Sequence, residues 1–359
     1  MYSSSILKSN FFNISLICAF ILIIGAFPTK SFSQENKSET AEKKFDPKET
    51  IMEHIADKHE WHLIGKAYIP LPVILYTDKG FEMFSSDKLQ PAGTVYKGTY
   101  YNYLLLNNKI KVVDAAGNLD KVANKRVIDF SITQNVACMW MTGLLLIIVF
   151  LSISSTYKKR VGKAPKGLQS FLEPLILFIR DDVALPNIGV KYERYMPLLL
   201  TIFFFILINN LFGMIPFFPG GYNLTGNIAV TLTLAVIILL VVNLNAKKNY
   251  WKHIFVPNPW WLFPIMIPVE IVSIFSKPIA LMIRLFANIT AGHIIVLSLI
   301  SLIFIFNSIW ASFVSVPFTV FIDTIELLVA FLQAYIFTML SSLFIGMAIE
   351  EHHDHEEVI

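Results

Sequence analysis

One arginine, Arg284, stands in the middle of a long apolar stretch, and two further polar side chains, Asn288 and His293, follow it. A guanidinium does not release its proton, so its burial in a membrane costs several kcal/mol unless a partner compensates the charge. The next apolar stretch supplies polar residues at Glu326 and Gln333. Ionisable residues in such stretches are functional candidates, and this set indicates that the protein passes an ion across a membrane.

The residue types favour a proton as that ion. His293 and Glu326 can both gain and lose a proton near physiological pH when burial shifts them, whereas Arg284 stays charged. The titratable pair could deliver protons as far as the permanent cation, whose positive charge they cannot pass.

Helical geometry groups these residues by face. At about 100° per residue, one face of the first stretch carries Glu270, Lys277, Arg284 and Asn288. His293 points to the opposite side and lies about 14 Å further along the axis than Arg284. On the second stretch, Glu326 and Gln333 are predicted to share a face.

Each of these residues also has a purely structural interpretation. Arg284 could pair with a carboxylate inside a helix bundle, and Lys277 could extend its ammonium to the membrane surface. His293 could be a core histidine that is hydrogen-bonded across helices, and the two amide side chains could join packed helices. Glu326 is harder to explain in this way, because a lone carboxylate in a membrane is normally protonated or paired.

The composition excludes a soluble domain of this size. The chain has 359 residues, is 55% hydrophobic and has a mean hydropathy of +0.60. Its net charge of +3 gives no indication of a nucleic-acid partner. The sequence lacks a Cys-x-x-Cys pair, a His-Glu-x-x-His motif and a glycine-rich phosphate loop, so no metal or cofactor is expected. The histidines and acids of the C-terminal tail are more typical of a solvated terminus than of a metal site.

The N-terminal third precedes the apolar stretches. Residues 1–33 have the layout of a signal peptide, with an uncleaved anchor as the competing interpretation. Residues 34–48 are polar and predict a flexible linker. Residues 49–133 predict a small exported α+β region of unknown role, with a helix near Thr50–Glu60 and strands at Ile69–Tyr76 and Lys109–Val113.

The rest of the chain, residues 134–349, predicts an all-α integral membrane protein with five transmembrane helices. The predicted spans are Val136–Ser154, Met196–Pro216, Ile228–Leu244, Phe263–Phe306 and Ala311–Ile349. The short amphipathic segment Gly167–Arg180 is predicted to lie on the membrane interface. A helix over Val269–Ile305 would be about 55 Å long, against roughly 30 Å of hydrocarbon. We therefore expect the last two helices to be steeply tilted, or the first of them to be kinked at Pro278.

Basic residues predict the orientation of the spans. Lys158–Arg160 and Lys247–Lys252 follow the first and third spans, whereas the loops at Phe217–Gly226 and Ile305–Ser312 carry no Lys or Arg. The positive-inside rule places the basic loops in the cytoplasm, so the N-terminal region is exported and the tail, residues 350–359, is cytoplasmic.

Three motifs give the chain a family resemblance. The first combines Glu270-Ile-Val-Ser-Ile-Phe-Ser-Lys-Pro278, Leu281-Met-Ile-Arg-Leu-Phe-Ala-Asn288 and Ala291-Gly-His293. The second and third are Leu332-Gln-Ala-Tyr-Ile-Phe-Thr-Met-Leu340 with Met347-Ala-Ile-Glu-Glu351-His, and Asn209-Asn-Leu-Phe-Gly-Met-Ile-Pro216. Over residues 134–353 the chain resembles subunit a of the membrane (Fo) sector of F-type ATP synthases.

The resemblance implies a non-catalytic stator subunit in a bacterial inner membrane. Its partners would be the c-subunit ring, the b-subunit peripheral stalk and the other synthase subunits, within the lipid bilayer. By resemblance, Arg284 faces the ring and separates two proton half-channels. The exported-side half-channel is implied for Asn288, His293, Glu326 and Gln333, and the cytoplasmic-side path for Glu270.

The chain departs from the family pattern at two places. Many bacterial members have a carboxylate where His293 stands and a histidine where Glu326 stands, so the two residue types are exchanged in this chain. Gly213 occupies a position where some members have an aspartate. Two other classes remain open from the residues alone: a stand-alone proton-coupled transporter or channel, and a binding or anchoring module with a passive membrane part.

Overall fold

A computed structural model describes most of the chain beyond residue 56. The described residues are 57–62, 68–91, 93–106, 108–114, 117–159, 162–215, 220–222, 224–248, 250–251, 263–306 and 309–349. The predicted signal peptide, linker and C-terminal tail lie outside these residues. The described residues divide into two compact units, one of residues 58–134 and one of residue 57 with residues 135–349.

The first unit is built mainly from short antiparallel strands. They are β1 (Glu60–His62), β2 (Tyr68–Pro70), β3 (Pro72–Thr77), β4 (Gly80–Ser85), β5 (Tyr96–Lys97), β6 (Asn102–Leu106), β7 (Lys109–Val113) and β8 (Ile128–Asp129), with one short helix, α1 (Lys121–Asn124). The strands form a β1-β2 pair and two three-stranded sheets, ordered β4-β3-β8 and β5-β6-β7.

Alternating side chains on both three-stranded sheets make the core of this unit. Val73 and Leu75 of β3 join Phe84 of β4, Tyr103 of β6 and Val112 of β7 in one buried cluster. Glu82 is also buried there and accepts hydrogen bonds from the Tyr103 hydroxyl, at 2.8 Å, and from the Thr99 amide. Burial raises the pKa of Tyr103, and its hydrogen bond to Glu82 raises it further.

The strand predictions are confirmed, and the helix prediction is wrong where the structure describes it. β2 and β3 cover Ile69–Tyr76 except for Leu71, and β7 coincides with Lys109–Val113. Residues 57–59 are not helical, and Glu60 begins a strand whose first pair is with Pro70. At Glu60, backbone pairing with β2 determines the conformation.

The second unit is helical. It contains α2 (Gln134–Lys159), α3 (Leu168–Phe178), α4 (Leu185–Ile188), α5 (Tyr192–Met214), α6 (Ile228–Asn245), α7 (Phe263–Phe306) and α8 (Ile309–Ile349). Five helical segments of the described chain are long and apolar enough to cross a membrane, which agrees with the five predicted spans.

The predicted interfacial segment is helical but does not end at Arg180. α3 stops at Phe178, and a π-helical turn, Ile179–Ala184, leads into α4. Ile179 and Val183 in this turn are fully buried in the helical core. These two residues, four positions apart, therefore share the buried side of the turn.

α7 and α8 are unusually long, as predicted. With 44 and 41 residues they extend about 66 and 62 Å at 1.5 Å per residue. Helical structure in α7 continues through Pro278. His293 of α7 contacts Glu326 of α8, and Lys277 lies over the Phe344 ring, so the two helices run antiparallel.

Close backbone packing joins α8 to α4. A Cβ atom built on Gly346 would overlap the carbonyl oxygen of Asn187. The Asn187 amide also donates to the Ser342 hydroxyl, at 3.0 Å. Small residues on α8 therefore allow the α3–α5 region to approach this helix closely.

We expect Gly346→Ala to lower the amount of folded, membrane-assembled protein severalfold, because its methyl group requires α8 and α4 to separate. Quantification of the subunit in purified complexes checks this. Gly143→Ala in α2 is the matched control, since a Cβ there meets no atom within 4 Å. Equal assembly of both variants would contradict the prediction.

Candidate functional site

The structure brings His293 and Glu326 into direct contact. The imidazole Nδ1 lies 2.8 Å from the Glu326 carboxylate oxygen Oε1. The Glu326 side chain is 8% exposed and that of His293 is 19% exposed. A buried carboxylate needs a hydrogen-bonding partner, and an imidazole both supplies one and can exchange a proton with it.

Gly292 makes this contact possible. A Cβ atom at this position would lie 3.0 Å from both Cδ and Oε1 of Glu326. The Glu326 side chain therefore passes directly over the α7 backbone before it reaches the imidazole of the next residue. A larger residue at position 292 would displace the carboxylate from His293.

Gly213 at the end of α5 lies on another side of the imidazole. A Cβ there would be 3.7 Å from Cε1 and 3.8 Å from Nε2 of His293, and 3.0 Å from the backbone oxygen of Tyr222. The position where some family members carry an aspartate is thus adjacent to the imidazole, although this chain has no side chain there.

Arg284 and Asn288 are exposed on α7. Leu281, Leu285 and Ile289 are buried in the helical core. On an ideal helix with about 100° per residue, this buried stripe occupies the arc between Arg284 and His293. Among the described residues, no hydrogen bond or ion pair engages the Arg284 guanidinium.

Gln333 is buried on the same side of α8 as Glu326, with 4% of its surface exposed. The antiparallel arrangement of α7 and α8 brings it near the axial level of Asn288. Polar groups therefore continue from the His293–Glu326 pair toward the level of Arg284.

Glu270 and Lys277 lie further from this cluster. Glu270 is about 35 Å from His293 along the α7 axis, at 1.5 Å per residue. Burial raises the pKa of Tyr250, and the nearby Glu270 carboxylate adds to this rise. The Lys277 ammonium lies 5.5 Å from the centre of the Phe344 ring, which is a cation–π contact with α8.

A second polar cluster lies in the helical core and was not predicted. Asn209 Oδ1 accepts hydrogen bonds from Thr142 at 3.0 Å and from Tyr222 at 3.3 Å. Asn210 donates to the Ala330 carbonyl at 3.2 Å and accepts from Thr225 at 2.7 Å. Two consecutive asparagines in an apolar span were the available signal. The hydrogen-bonding partners of the two asparagines could not be predicted from the sequence, because they lie in other elements: α2, α8 and the loop after α5.

The geometry of the helical unit defines a class of protein. Five of the described helical segments are apolar enough to span a membrane, and two of them, α7 and α8, hold a paired carboxylate and imidazole. A permanent cation, Arg284, is exposed on α7. Among the described residues, no group of three or more His, Cys, Asp and Glu could hold a metal ion. These features are those of an integral membrane protein that moves an ion by protonation chemistry.

Residues 136–346 match the family model of the ATP synthase A chain, and the chain belongs to this family. A subunit a 2 from Prosthecochloris aestuarii is 52% identical over 235 residues, which cover 64% of this chain and 71% of the relative. A subunit a from Chlorobium phaeobacteroides is 50% identical, with 64% and 68% covered. Residues 50–130 separately match a family described as a domain of unknown function, DUF8433.

Family membership confirms the resemblance seen in the sequence. The chain is the proton-translocating stator subunit of the Fo sector, a non-catalytic, multi-pass protein of the bacterial inner membrane. It works with the c-subunit ring, the b-subunit stalk and the other subunits of the complex. The stand-alone transporter or channel is not supported.

We expect Gly292→Ala to lower ATP-driven proton pumping severalfold, because its methyl group displaces the Glu326 carboxylate from His293. Acidification of inverted membrane vesicles, normalised to assembled complex, measures the effect. Gly143→Ala again serves as the control. Wild-type pumping by Gly292→Ala would show that the close seating of Glu326 on the α7 backbone is not needed.

Proposed function

We propose that protons enter this subunit through the His293–Glu326 pair and pass along Asn288 and Gln333 toward the ring. The observation that carries this proposal is the 2.8 Å contact between two buried titratable groups. Each group can hold the proton that the other releases, so a proton can cross the pair without leaving an isolated charge in the membrane.

The proton moves in this pair by a simple exchange. A carboxylate beside an imidazolium and a carboxylic acid beside a neutral imidazole have the same total charge, and they differ only in the position of one proton. The low dielectric of the helical core favours keeping that total constant. Departure of the proton toward the ring is then followed by entry of another from the opposite side.

Arg284 acts as the fixed cation of the subunit. Because Arg284 lies on an exposed side of α7, its guanidinium is available to a carboxylate on the neighbouring ring. The positive charge of the guanidinium favours the ionised form of that carboxylate. The ring group therefore releases its proton as it approaches. The same charge repels a proton that would pass directly from one half-channel to the other.

The buried stripe of Leu281, Leu285 and Ile289 supports this separation. It lies between Arg284 and His293, so apolar packing blocks a direct route across α7. Glu270, far along the same helix, belongs in this proposal to the path on the cytoplasmic side. The amides of Asn288 and Gln333 supply hydrogen bonds along the exported-side path.

The orientation and processing of the chain are part of the same proposal. Lys158 and Lys159 in the last turn of α2 support a cytoplasmic end for that helix, since basic residues are retained on this side. The N-terminal sheet unit is then exported after removal of residues 1–33, α3 lies along the membrane interface, and the acidic tail is cytoplasmic. The steep tilt of α7 and α8 belongs here too, because each is about twice as long as the hydrocarbon is thick.

Arg284→Ala is expected to abolish ATP-driven proton pumping, because the ring carboxylate loses the cation that promotes its ionisation. Acidification of inverted vesicles measures pumping, and decay of an imposed gradient measures passive leak. Arg194→Ala is the matched control, since Arg194 is an exposed arginine at the start of α5. Coupled pumping at the wild-type rate by an assembled Arg284→Ala complex would overturn the assigned role.

Exchange of the paired residues gives a second test. His293→Glu combined with Glu326→His should retain more proton flux than either single change, because only the double variant keeps an acid beside an imidazole. The comparison uses the same vesicles, with assembly checked for all three variants. Equal loss in the three would show that the two residues do not act as a unit.

A further inference from the structure

The β4-β3-β8 sheet has an apolar outer face. The inner face carries the core residues Val73, Leu75 and Phe84. The pairing of the strands places Tyr76 beside Phe81 and Ile128, and Ile74 beside Met83, all on the other face. Exposed on this face are Tyr76 (53%), Phe81 (60%), Met83 (62%), Ile128 (53%) and Phe130 (63%).

The outer face of the β5-β6-β7 sheet has a different character. Val112 of β7 points into the core, so Lys109 and Lys111 alternate to the outside. A solvated antiparallel sheet normally has polar residues on its outer face. The outer positions of the β4-β3-β8 sheet carry no charged residue, so this face has the composition of a covered surface.

The chain between this sheet and the first membrane helix is very short. Strand-like pairing continues beyond β8, as the Phe130 amide donates to the Ile74 carbonyl at 2.9 Å and the Ile132 amide to the Pro72 carbonyl at 3.1 Å. α2 then begins at Gln134. Four residues extend at most about 14 Å, so Phe130 stays within that distance of the start of a membrane-spanning helix.

We propose that the outer face of the β4-β3-β8 sheet docks on the lipid interface of the membrane that α2 crosses. The tether holds this face within reach of the interface. Tyr and Phe side chains are favoured there, because their rings enter the boundary between headgroups and acyl chains. The proposal rests on α2 spanning the membrane, but not on the roles assigned to Arg284, His293 and Glu326.

Collision measurements on nitroxide labels test this docking in the assembled synthase. Cys18 and Cys138 are first replaced by Ser, and single labels are placed by Phe81→Cys and Met83→Cys. Val122→Cys in α1 is the matched control, since Val122 is 64% exposed and lies outside the sheet. Nanodiscs expose both membrane surfaces to the reagents, so the readout does not depend on which side is exported. Proton pumping, measured separately, shows whether the complex is intact.

Lipid docking predicts a severalfold loss of collisions with a water-soluble nickel chelate at positions 81 and 83 relative to 122. Collisions with oxygen, which concentrates in the bilayer, should rise at the same two positions. Nickel accessibility equal to that at position 122 would overturn the proposal in favour of a solvated face. Protection from both reagents would overturn it in favour of a protein partner that covers the sheet. Labels at both positions keep the test valid if one substitution prevents assembly.

Discussion

The high free energy of an isolated charge in hydrocarbon determines how this structure is arranged. Glu326 is buried among the helices, and its hydrogen-bonding partner there is His293, whose Nδ1 lies 2.8 Å from the carboxylate. This contact in turn requires α7 and α8 to approach closely, which Gly292 allows. Buried side chains of α7 and α8 also pack with those of α5 and α6 in one apolar core, which holds the two helices together.

A similar requirement explains the second polar cluster. Asn209 and Asn210 would be costly in an apolar helix without partners, and every hydrogen bond shown for their side chains is made within the helical unit. These bonds join α5 to α2, to α8 and to the loop that follows α5. In an environment without water, such bonds add specificity to the arrangement of helices that otherwise pack through similar apolar surfaces.

Much of this arrangement could be predicted from the sequence, because hydropathy and spacing act locally. The five spans and the unusual length of α7 and α8 follow from such patterns, whereas the pairing of His293 with Glu326 was implied by the family resemblance. The π turn at Ile179–Ala184 could not be predicted, since it depends on which side chains the neighbouring helices bury. Likewise, β1 forms at Glu60 because β2 supplies its backbone partners, and helical spacing in the sequence gives no sign of that pairing.

The exposure of Arg284 has a consequence for the biogenesis of the complex. In its proposed role, the exposed guanidinium is compensated when a carboxylate of the ring reaches it. In that role, the free energy of the folded chain in the bilayer would depend on a charge that belongs to another protein. Before the ring binds, an uncompensated cation would distinguish the unassembled subunit, and recognition of that charge would allow a cell to remove such copies before they accumulate.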